Sequence, residues 1–375
     1  MRKLTKYLLF DFLAIFGTAL LLITFAFSIG TMYKLIDYMA KGLPLGVIGQ
    51  FALFTLPYSM SYTIPISALF ASLLLFGRIS SDSELGAMRS GGLSLWQVAS
   101  PVVLFSVLLT AVCFYNSFVI YPRTTYAAEY LKKNALSMGV EDPIKLLEEG
   151  RFIRDFPGYM IYVGKKNKNK VKDLIVYKID KESGEIEDTI RAESGIMTID
   201  REEKILKIDL FDVRVEIADA EDPSKSQYFN FKKHPIRVDL NEMTKSSTVR
   251  KKRKFLTFSE LLYVIRNPDA DMEWMQKYDQ SIEHGRNLIE FNQRLCLALA
   301  PLMFVLIAIP LGITSHRKES SIGMLMSLVI MFIYYVFIIL SDTFDKNPEL
   351  YPWLLPWIPI VLGQIGGLIM MRRAN

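Results

Sequence analysis

Apolar residues along this chain fall into six long stretches arranged as two groups of three. The stretches run from Leu8 to Tyr33, Val47 to Phe76, Leu93 to Ile120, Leu295 to Ile313, Ile322 to Leu340 and Trp353 to Met371. Each is close to or above the ~20 residues that an α-helix needs to cross about 30 Å of hydrocarbon. A water-soluble core does not repeat runs of this length six times, so the pattern predicts six transmembrane helices.

The segment between the two groups, roughly 165 residues long, has the pattern of a folded soluble domain. Short runs rich in Ile, Val, Tyr and Phe are separated by turn-forming residues such as Lys181-Glu182-Ser183-Gly184. The predicted strands are Tyr159 to Val163, Leu174 to Ile179, Gly195 to Ile199, Ile205 to Ile217 and Gln227 to Phe231. From Thr257 the pattern becomes helical, and a second helical run from Met272 leads into the fourth span. The segment therefore predicts an antiparallel β domain with a helical C-terminal part.

The apolar phase changes within the run from Ile205 to Ile217. Leu206, Ile208 and Leu210 share one parity, whereas Phe211, Val213, Val215 and Ile217 share the other. A β-bulge produces such a change. Two interpretations remain open at this point: a closed core, or an apolar groove that accepts the acyl chains of a lipid. The candidate groove residues are Ile208, Leu210, Phe211 and Val213.

Composition supports a chain with both membrane and soluble parts, since 51% of residues are hydrophobic and 22% are charged. The charges are concentrated in the middle segment. A net charge of +5 is modest and predicts no nucleic-acid partner. The two cysteines, Cys113 and Cys296, lie in apolar stretches, which excludes a disulfide framework and predicts small buried apolar residues.

Lysine and arginine in the short loops and tails predict the orientation. One side carries nine of them: Arg2, Lys3, Lys6, Arg78, Arg89, Arg317, Lys318, Arg372 and Arg373. The other side carries three: Lys34, Lys41 and Lys346. Both termini are therefore expected in the cytoplasm and the central domain outside. The predicted organisation is residues 1–122 for spans one to three, 123–286 for the β domain with its helical end, and 287–375 for spans four to six.

The turn between spans two and three, from Arg78 to Gly92, predicts a short helix at the inner membrane surface. Ser81 or Asp82 would cap it, Glu84 in its first turn would suit the positive end of the helix dipole, and Gly91-Gly92 would end it. A polar linker is one interpretation and a docking element for a cytoplasmic partner is the other. The candidate docking residues are Asp82, Glu84, Leu85, Met88 and Arg89.

Lys34 and Lys41 lie at the outer end of the first span. Their spacing of seven residues places both amines on one face if the helix continues, where they could bind a phosphorylated lipid headgroup. Lysines at a membrane boundary also serve as anchors that extend towards the headgroup layer. Both interpretations remain open from the residues alone.

Enzymatic functions find no support in the sequence. It contains no Gly-x-x-x-x-Gly-Lys-Ser/Thr phosphate loop, no His-Glu-x-x-His and no Gly-x-Ser-x-Gly. The histidines, His234, His284 and His316, are widely separated, and we predict no metal and no cofactor. Transport and a membrane sensor or scaffold with a ligand-binding β domain remain as alternatives. A copurifying ATPase would favour transport, whereas a kinase or regulator would favour sensing.

Two segments and the overall layout carry a resemblance to a known family. They are Ser-Glu-Leu-Gly-Ala-Met-Arg-Ser-Gly-Gly at 83–92, and the stretch from Glu290 through Arg294 to Pro301 and on to Ile309-Pro310-Leu311-Gly312. Together with the three-plus-three spans around a β domain, they make the chain resemble the lipopolysaccharide export permeases LptF and LptG, also called the YjgP/YjgQ family, over essentially its full length. The resemblance implies a multi-pass protein of the bacterial inner membrane whose periplasmic domain is a β-jellyroll.

The resemblance also implies partners and residue roles. The partners are a second, homologous six-helix permease subunit, a cytoplasmic ATPase dimer and a periplasmic jellyroll bridge protein that receives the lipopolysaccharide. The chain would be a transport subunit without its own ATP-binding site. Glu84 matches the acid of the family's cytoplasmic coupling helix, and Lys34 and Lys41 occupy the places of basic residues that contact the lipid's phosphates. Lys34-Leu35-Ile36-Asp37 followed by Lys41-Gly42 looks closer to LptG than to LptF.

Overall fold

A computed structural model describes residues 2–40, 45–138, 149–153, 156, 158–179, 186–200, 205–217, 227–239, 252–267, 280–314 and 320–374. The chain divides into two compact units. The first, here called the helical unit, comprises Met1–Lys34, Ala52–Ala128 and Arg250–Asn375. The second, the β unit, comprises Leu35–Phe51 and Glu129–Val249.

Within the described residues, nine α-helices and one π-helical turn form the predicted spans and most of their connections. The first half of the chain forms α1 (Arg2–Ala40), α2 (Leu45–Ser81), α3 (Glu84–Ser90), α4 (Leu95–Tyr115), a π-helical turn (Asn116–Ile120) and α5 (Tyr121–Met138). The second half forms α6 (Phe258–Arg266), α7 (Gln280–Thr314), α8 (Ser320–Thr343) and α9 (Trp357–Ala374). Six segments of the described chain are long and apolar enough to cross a membrane, and each overlaps one predicted stretch. The prediction of six spans is confirmed.

The helical unit is built around α2 and α7. The most apolar part of each of these helices is 72% buried, against 17% for α1 and 22% for α8 and for the last span. One apolar core joins the Ile79 end of α2 to α1, α3, α4, α7 and α9, and a second joins α2 and α7 to α8 and α9. The outer helices therefore keep wide apolar faces, as a lipid environment or a partner helix requires.

Six strands form one antiparallel sheet in the β unit. They are β1 (Phe152–Ile153), β2 (Tyr159–Asn167), β3 (Lys170–Ile179), β4 (Ile186–Asp200), β5 (Ile205–Ile217) and β6 (Gln227–Asp239). Each strand pairs with the next along the chain, in the order β1 to β6. All five predicted strand runs lie inside β2 to β6, which confirms an all-β domain inserted between helices. Among the described strands the topology is a meander, and the crossovers that distinguish a jellyroll do not occur among them.

The sheet changes its pleat along one row of residues. The ladder between β4 and β5 omits Glu193 and Asp212 but keeps the same register on both sides, and Asp173 is omitted in the same way from β3. Asp173 and Asp212 adopt left-handed backbone conformations, with φ of 54° and 53°. In β5 the buried positions change parity at this row, from Leu206, Ile208 and Leu210 to Val213 and Val215. The predicted change of phase is confirmed, and it keeps both sets of residues in one core. The β-bulge expected to cause it is wrong, because the register of β5 with both neighbours is unchanged and no extra residue is inserted.

The sequence patterns for the connections and cysteines are also confirmed where the structure describes them. The helical pattern predicted from Thr257 is confirmed by α6, whose C-cap residue is Asn267. The helical run predicted from Met272 lies outside the described residues up to Gln280, where α7 begins. Cys113 and Cys296 are free and buried.

Candidate functional site

One candidate site surrounds α3, the short helix between the second and third spans. α2 runs on to Ser81, so Ser81 belongs to its last turn and the Ser81 hydroxyl donates back to the Arg78 carbonyl at 2.9 Å. The residue that precedes α3 is Ser83, which has a φ of 61° and makes no side-chain capping hydrogen bond. The prediction that Ser81 or Asp82 caps the helix is therefore wrong, because α2 extends further than its apolar pattern indicates. The predicted end is confirmed at Gly91 and at Gly92, whose φ is 86°.

α3 rests on the helical unit through its apolar side. Leu85 is buried in the core that also contains Leu8 and Phe12 of α1 and Ile79 of α2, and Met88 packs against that core half-buried. Asp82 and Arg89, by contrast, are exposed. The predicted docking residues thus differ in their environment: Leu85 and Met88 attach the helix to the spans, Asp82 and Arg89 are exposed, and Glu84 is half-buried.

Glu84 takes part in a polar network that reaches three helices. The Tyr7 hydroxyl on α1 donates to the two carboxylate oxygens of Glu84, at 3.2 and 3.3 Å. The Arg78 guanidinium at the end of α2 donates to the same Tyr7 oxygen at 3.2 Å and forms an ion pair with Asp11 of α1. We call Tyr7, Asp11, Arg78 and Glu84 the tether. It connects the start of the first span to the end of the second and to α3.

Sequence reasoning missed two members of the tether, Tyr7 and Asp11. The available signal was Asp11, which lies in the first apolar stretch, where an ionised carboxylate needs a partner. Arg78, at the far end of the next stretch, was counted only as a loop charge. Two antiparallel spans joined by a short loop bring such charges to the same membrane boundary, but the sequence does not show which faces meet.

Close to the tether, α2 and α7 approach each other at backbone distance. The Ser80 hydroxyl donates to the Ile313 carbonyl at 3.0 Å. A Cβ atom on Gly312 would lie 3.0 Å from the Leu73 carbonyl oxygen and 3.1 Å from the Gly77 nitrogen. Gly312, the last residue of the Ile309-Pro310-Leu311-Gly312 segment, is therefore required for this contact.

Arg294 explains the other segment that carried the family resemblance. Its side chain is only 4% exposed; it pairs with Glu290 at 2.7 Å and donates to the carbonyl oxygens of Leu256 at 2.7 Å and Lys254 at 3.0 Å. Its guanidinium carbon also lies 5.2 Å from the centre of the Tyr121 ring. Arg294 thus holds α7 to the turn that follows the β domain in the chain and to the first residue of α5.

A second ionic cluster lies about two to three turns earlier on α7. Glu283, with a side chain 2% exposed, lies 3.3 Å from Arg253 and 3.2 Å from Arg286, and Arg286 also pairs with Asp345 at 2.8 Å. Burial lowers the pKa of Arg253, and the nearby Glu283 carboxylate opposes that shift. The apolar pattern did not predict this cluster, because the fourth apolar stretch begins only at Leu295.

The predicted lipid-contact residues lie in different environments. Lys34 is exposed on α1, and Lys41 lies outside the described residues. Ile208, Leu210 and Val213 are buried in the core of the sheet. Phe211 is half-buried, and the Lys233 ammonium lies 5.8 Å from the centre of its ring. Three of the four predicted groove residues therefore lie in the core of the sheet, and Phe211 does not.

These features define a class: a polytopic helical membrane protein with an antiparallel β domain inserted between two groups of three spans and a short helix attached between the second and third. The family model described as lipopolysaccharide export system permease LptF/LptG matches residues 6–373, essentially the whole chain. The chain belongs to the LptF/LptG family, which confirms the resemblance seen in its sequence. A comparison with individual curated proteins gives no match. The closer resemblance of this chain to LptG than to LptF stays a prediction.

Proposed function

We propose that this chain is the permease subunit of an ABC-type exporter that extracts lipopolysaccharide from the bacterial inner membrane and passes it to a periplasmic bridge protein. The observation that carries the proposal is the family match over residues 6–373. The six apolar helices and the inserted sheet are consistent with it. ATP would be hydrolysed by a separate cytoplasmic ATPase dimer, since the sequence has no phosphate-binding loop.

The proposed orientation places both termini and α3 in the cytoplasm and the β domain in the periplasm. It is supported by the nine basic residues on the α3 side of the membrane against three on the other. We propose three parts for the chain, with residues 1–122 and 287–375 forming the membrane region and 123–286 forming the periplasmic region.

The proposed assembly pairs this chain with a homologous six-helix subunit. The wide apolar faces of α1 and the last two spans support such a contact, because a helix in lipid packs on another through these faces without a cost in exposed polar groups. Lipopolysaccharide would enter the space between the two subunits laterally, with the first span as part of the gate.

The proposed mechanism is mechanical. Closure of the ATPase dimer on ATP moves α3, and the burial of Leu85 in the common core gives α3 a firm attachment to α1, α2 and α4. Motion of these spans then compresses the cavity between the two subunits. Glu84 is the proposed contact for a basic residue of the ATPase: its two carboxylate oxygens offer about four lone-pair sites, and the Tyr7 hydroxyl supplies a single proton to them.

The charge-reversing variant Glu84→Arg tests this docking role. We expect it to abolish copurification of the ATPase or to uncouple ATP hydrolysis from lipopolysaccharide transfer, while the β domain stays folded. Glu349→Arg is the matched control, because Glu349 is an exposed glutamate in the loop between the last two spans. Copurification and transfer equal to the parent in Glu84→Arg would contradict the docking role.

The proposed headgroup contact by Lys34 and Lys41 is tested by variants that keep, remove or reverse the charge of each side chain. Arginine preserves the positive charge, alanine removes it and glutamate repels a phosphate. We expect transfer to be retained in the arginine variants and lost in the alanine and glutamate variants. Alanine variants that bind and transfer lipopolysaccharide like the parent would show that the lysines are membrane anchors.

The proposed passage of acyl chains through the β domain requires its core to open. Each methylene kept from water is worth about 0.8 kcal/mol, so several chains in transit need an apolar surface. Photocrosslinkers at Ile208, Leu210 or Val213, which lie in the core, are expected to label lipopolysaccharide only when ATP is supplied to the assembled complex. No labelling at any of these positions, or at Phe211, in an active complex would mean that β5 does not line the path.

A further inference from the structure

We propose that the tether of Tyr7, Asp11, Arg78 and Glu84 transmits movement of α3 to the first span, and that Tyr7 and Asp11 are positioning residues for lipid transfer. This inference rests on the proposed function, in which an ATPase moves α3 and the first span belongs to the lateral gate. It adds a specific connection between the two, made by side chains at the start of α1.

The polar contacts of the tether form a continuous path from α1 to α3. Tyr7 and Asp11 are four residues apart and share one face of α1. Arg78 contacts both, which fixes that face against the end of α2. The Tyr7 hydroxyl accepts from Arg78 and donates to Glu84, so an unbroken chain of polar contacts leads from Asp11 to α3. Because Glu84 is the first residue of α3, a shift of this helix displaces the Tyr7 hydroxyl directly.

The tether is poorly placed to serve stability alone. The Arg78 and Asp11 side chains are 44% and 20% exposed, and ion pairs at such positions contribute little to folding. Leu8 and Phe12, the residues next to Tyr7 and Asp11, are already buried in the core with Leu85 and Ile79. The apolar core therefore holds the helices together, and the polar contacts determine how α1 is oriented relative to α3.

The position of Glu84 makes the tether sensitive to docking. The carboxylate that we propose for the ATPase contact is the same carboxylate that accepts from Tyr7. When a basic side chain of the ATPase binds the Glu84 carboxylate, the strength of the Tyr7 hydrogen bond changes, since charge-assisted bonds in one network polarise one another. Docking and the orientation of the first span are thereby linked through one hydroxyl group.

The test uses the full chain in complex with its partner subunit and ATPase, and measures ATP hydrolysis and lipopolysaccharide transfer in the same preparation. Tyr7→Phe removes only the hydroxyl group, so the core packing of the ring's neighbours is preserved. We expect the ATPase still to copurify, because the Glu84 carboxylate remains, and transfer per ATP hydrolysed to fall roughly 2- to 10-fold, the range that corresponds to one hydrogen bond. Tyr115→Phe, at an exposed tyrosine of α4, is the matched control.

The ion pair provides a rescue experiment. Asp11→Arg and Arg78→Asp are each expected to lower transfer per ATP, and the double variant, which restores opposite charges, is expected to recover most of the loss. Transfer per ATP equal to the parent in Tyr7→Phe and in both single charge variants would overturn the inference. A double variant as impaired as the sum of the singles would overturn the part that assigns the effect to the ion pair. If no ATPase copurified with the unmodified chain, the proposed function itself would be refuted.

Discussion

The two ends of α7 hold their polar residues in opposite ways. In its first half, Glu283 and Arg294 are almost completely buried and bonded to several partners. Near its end, about 45 Å beyond Glu283 along the helix, Ile313 meets the end of α2, where Arg78 and Asp11 are partly exposed and form one contact with each other. The first of these regions binds the turn that follows the β domain, and the second packs on the end of α2, next to α3 and the tether.

This difference indicates which end can change its contacts at low cost. Removing one partner of a buried ion pair costs about 3–5 kcal/mol, because the remaining charge is left in a medium of low polarity. Breaking an exposed pair costs at most about 1 kcal/mol. The polar contacts near Arg294 are therefore suited to a permanent joint, whereas those around Glu84 can be remade in each transport cycle.

The largest effect is expected at Arg294. Arg294→Met removes the buried donor to the Leu256 and Lys254 carbonyls, at about 1–3 kcal/mol for each oxygen that loses its hydrogen bond, and also removes the ion-pair partner of Glu290. A strongly lowered Tm in mild detergent, or failure to accumulate in the membrane, would show this loss of stability. Arg294→Lys is the matched control: it keeps the charge but loses the planar fork, and an intermediate Tm is expected. A Tm of Arg294→Met within one or two degrees of the parent would remove the distinction between the two ends.

A smaller effect is expected at Gly312, which tests how tightly the end of α7 packs on α2 close to α3. An alanine Cβ there would meet backbone atoms of α2 at 3.0 and 3.1 Å, so Gly312→Ala must push α2 and α7 apart, at a cost of about 1–3 kcal/mol. Gly77→Ala is the matched control, since its Cβ would meet only the Gly312 carbonyl oxygen at an ordinary 3.8 Å. Thermal unfolding of both variants in detergent measures the difference. Equal Tm values would mean that the two helices separate easily and that this end is mobile beyond the tether.

The sequence predicted the elements of the molecule better than the contacts between them. The period and length of apolar runs determine spans and strands, so the six spans and the change of phase in β5 were predicted. Five of the six described strands were also predicted, but β1 was missed and β4 and β6 extend well beyond the predicted runs. The start of α3 was predicted wrongly because the last polar turn of α2, which ends at Ser81, looks like a loop in the sequence. Tyr7 and Arg294 depend on contacts between residues 77 and about 40 positions apart, which local patterns do not contain.

The smallest change in stability is expected at Arg78. Arg78→Ala removes an exposed ion pair with Asp11 and a hydrogen bond to Tyr7, so the free energy of unfolding should fall by no more than about 1 kcal/mol. Arg286→Ala is the matched variant at the other end: its side chain is 10% exposed and pairs with Glu283 and Asp345. We expect a clearly larger loss of Tm there, while transfer per ATP falls in Arg78→Ala. A drop in Tm for Arg78→Ala as large as that for Arg286→Ala would make the tether a structural joint like the one at Arg294, and its reduced transfer would then follow from destabilisation.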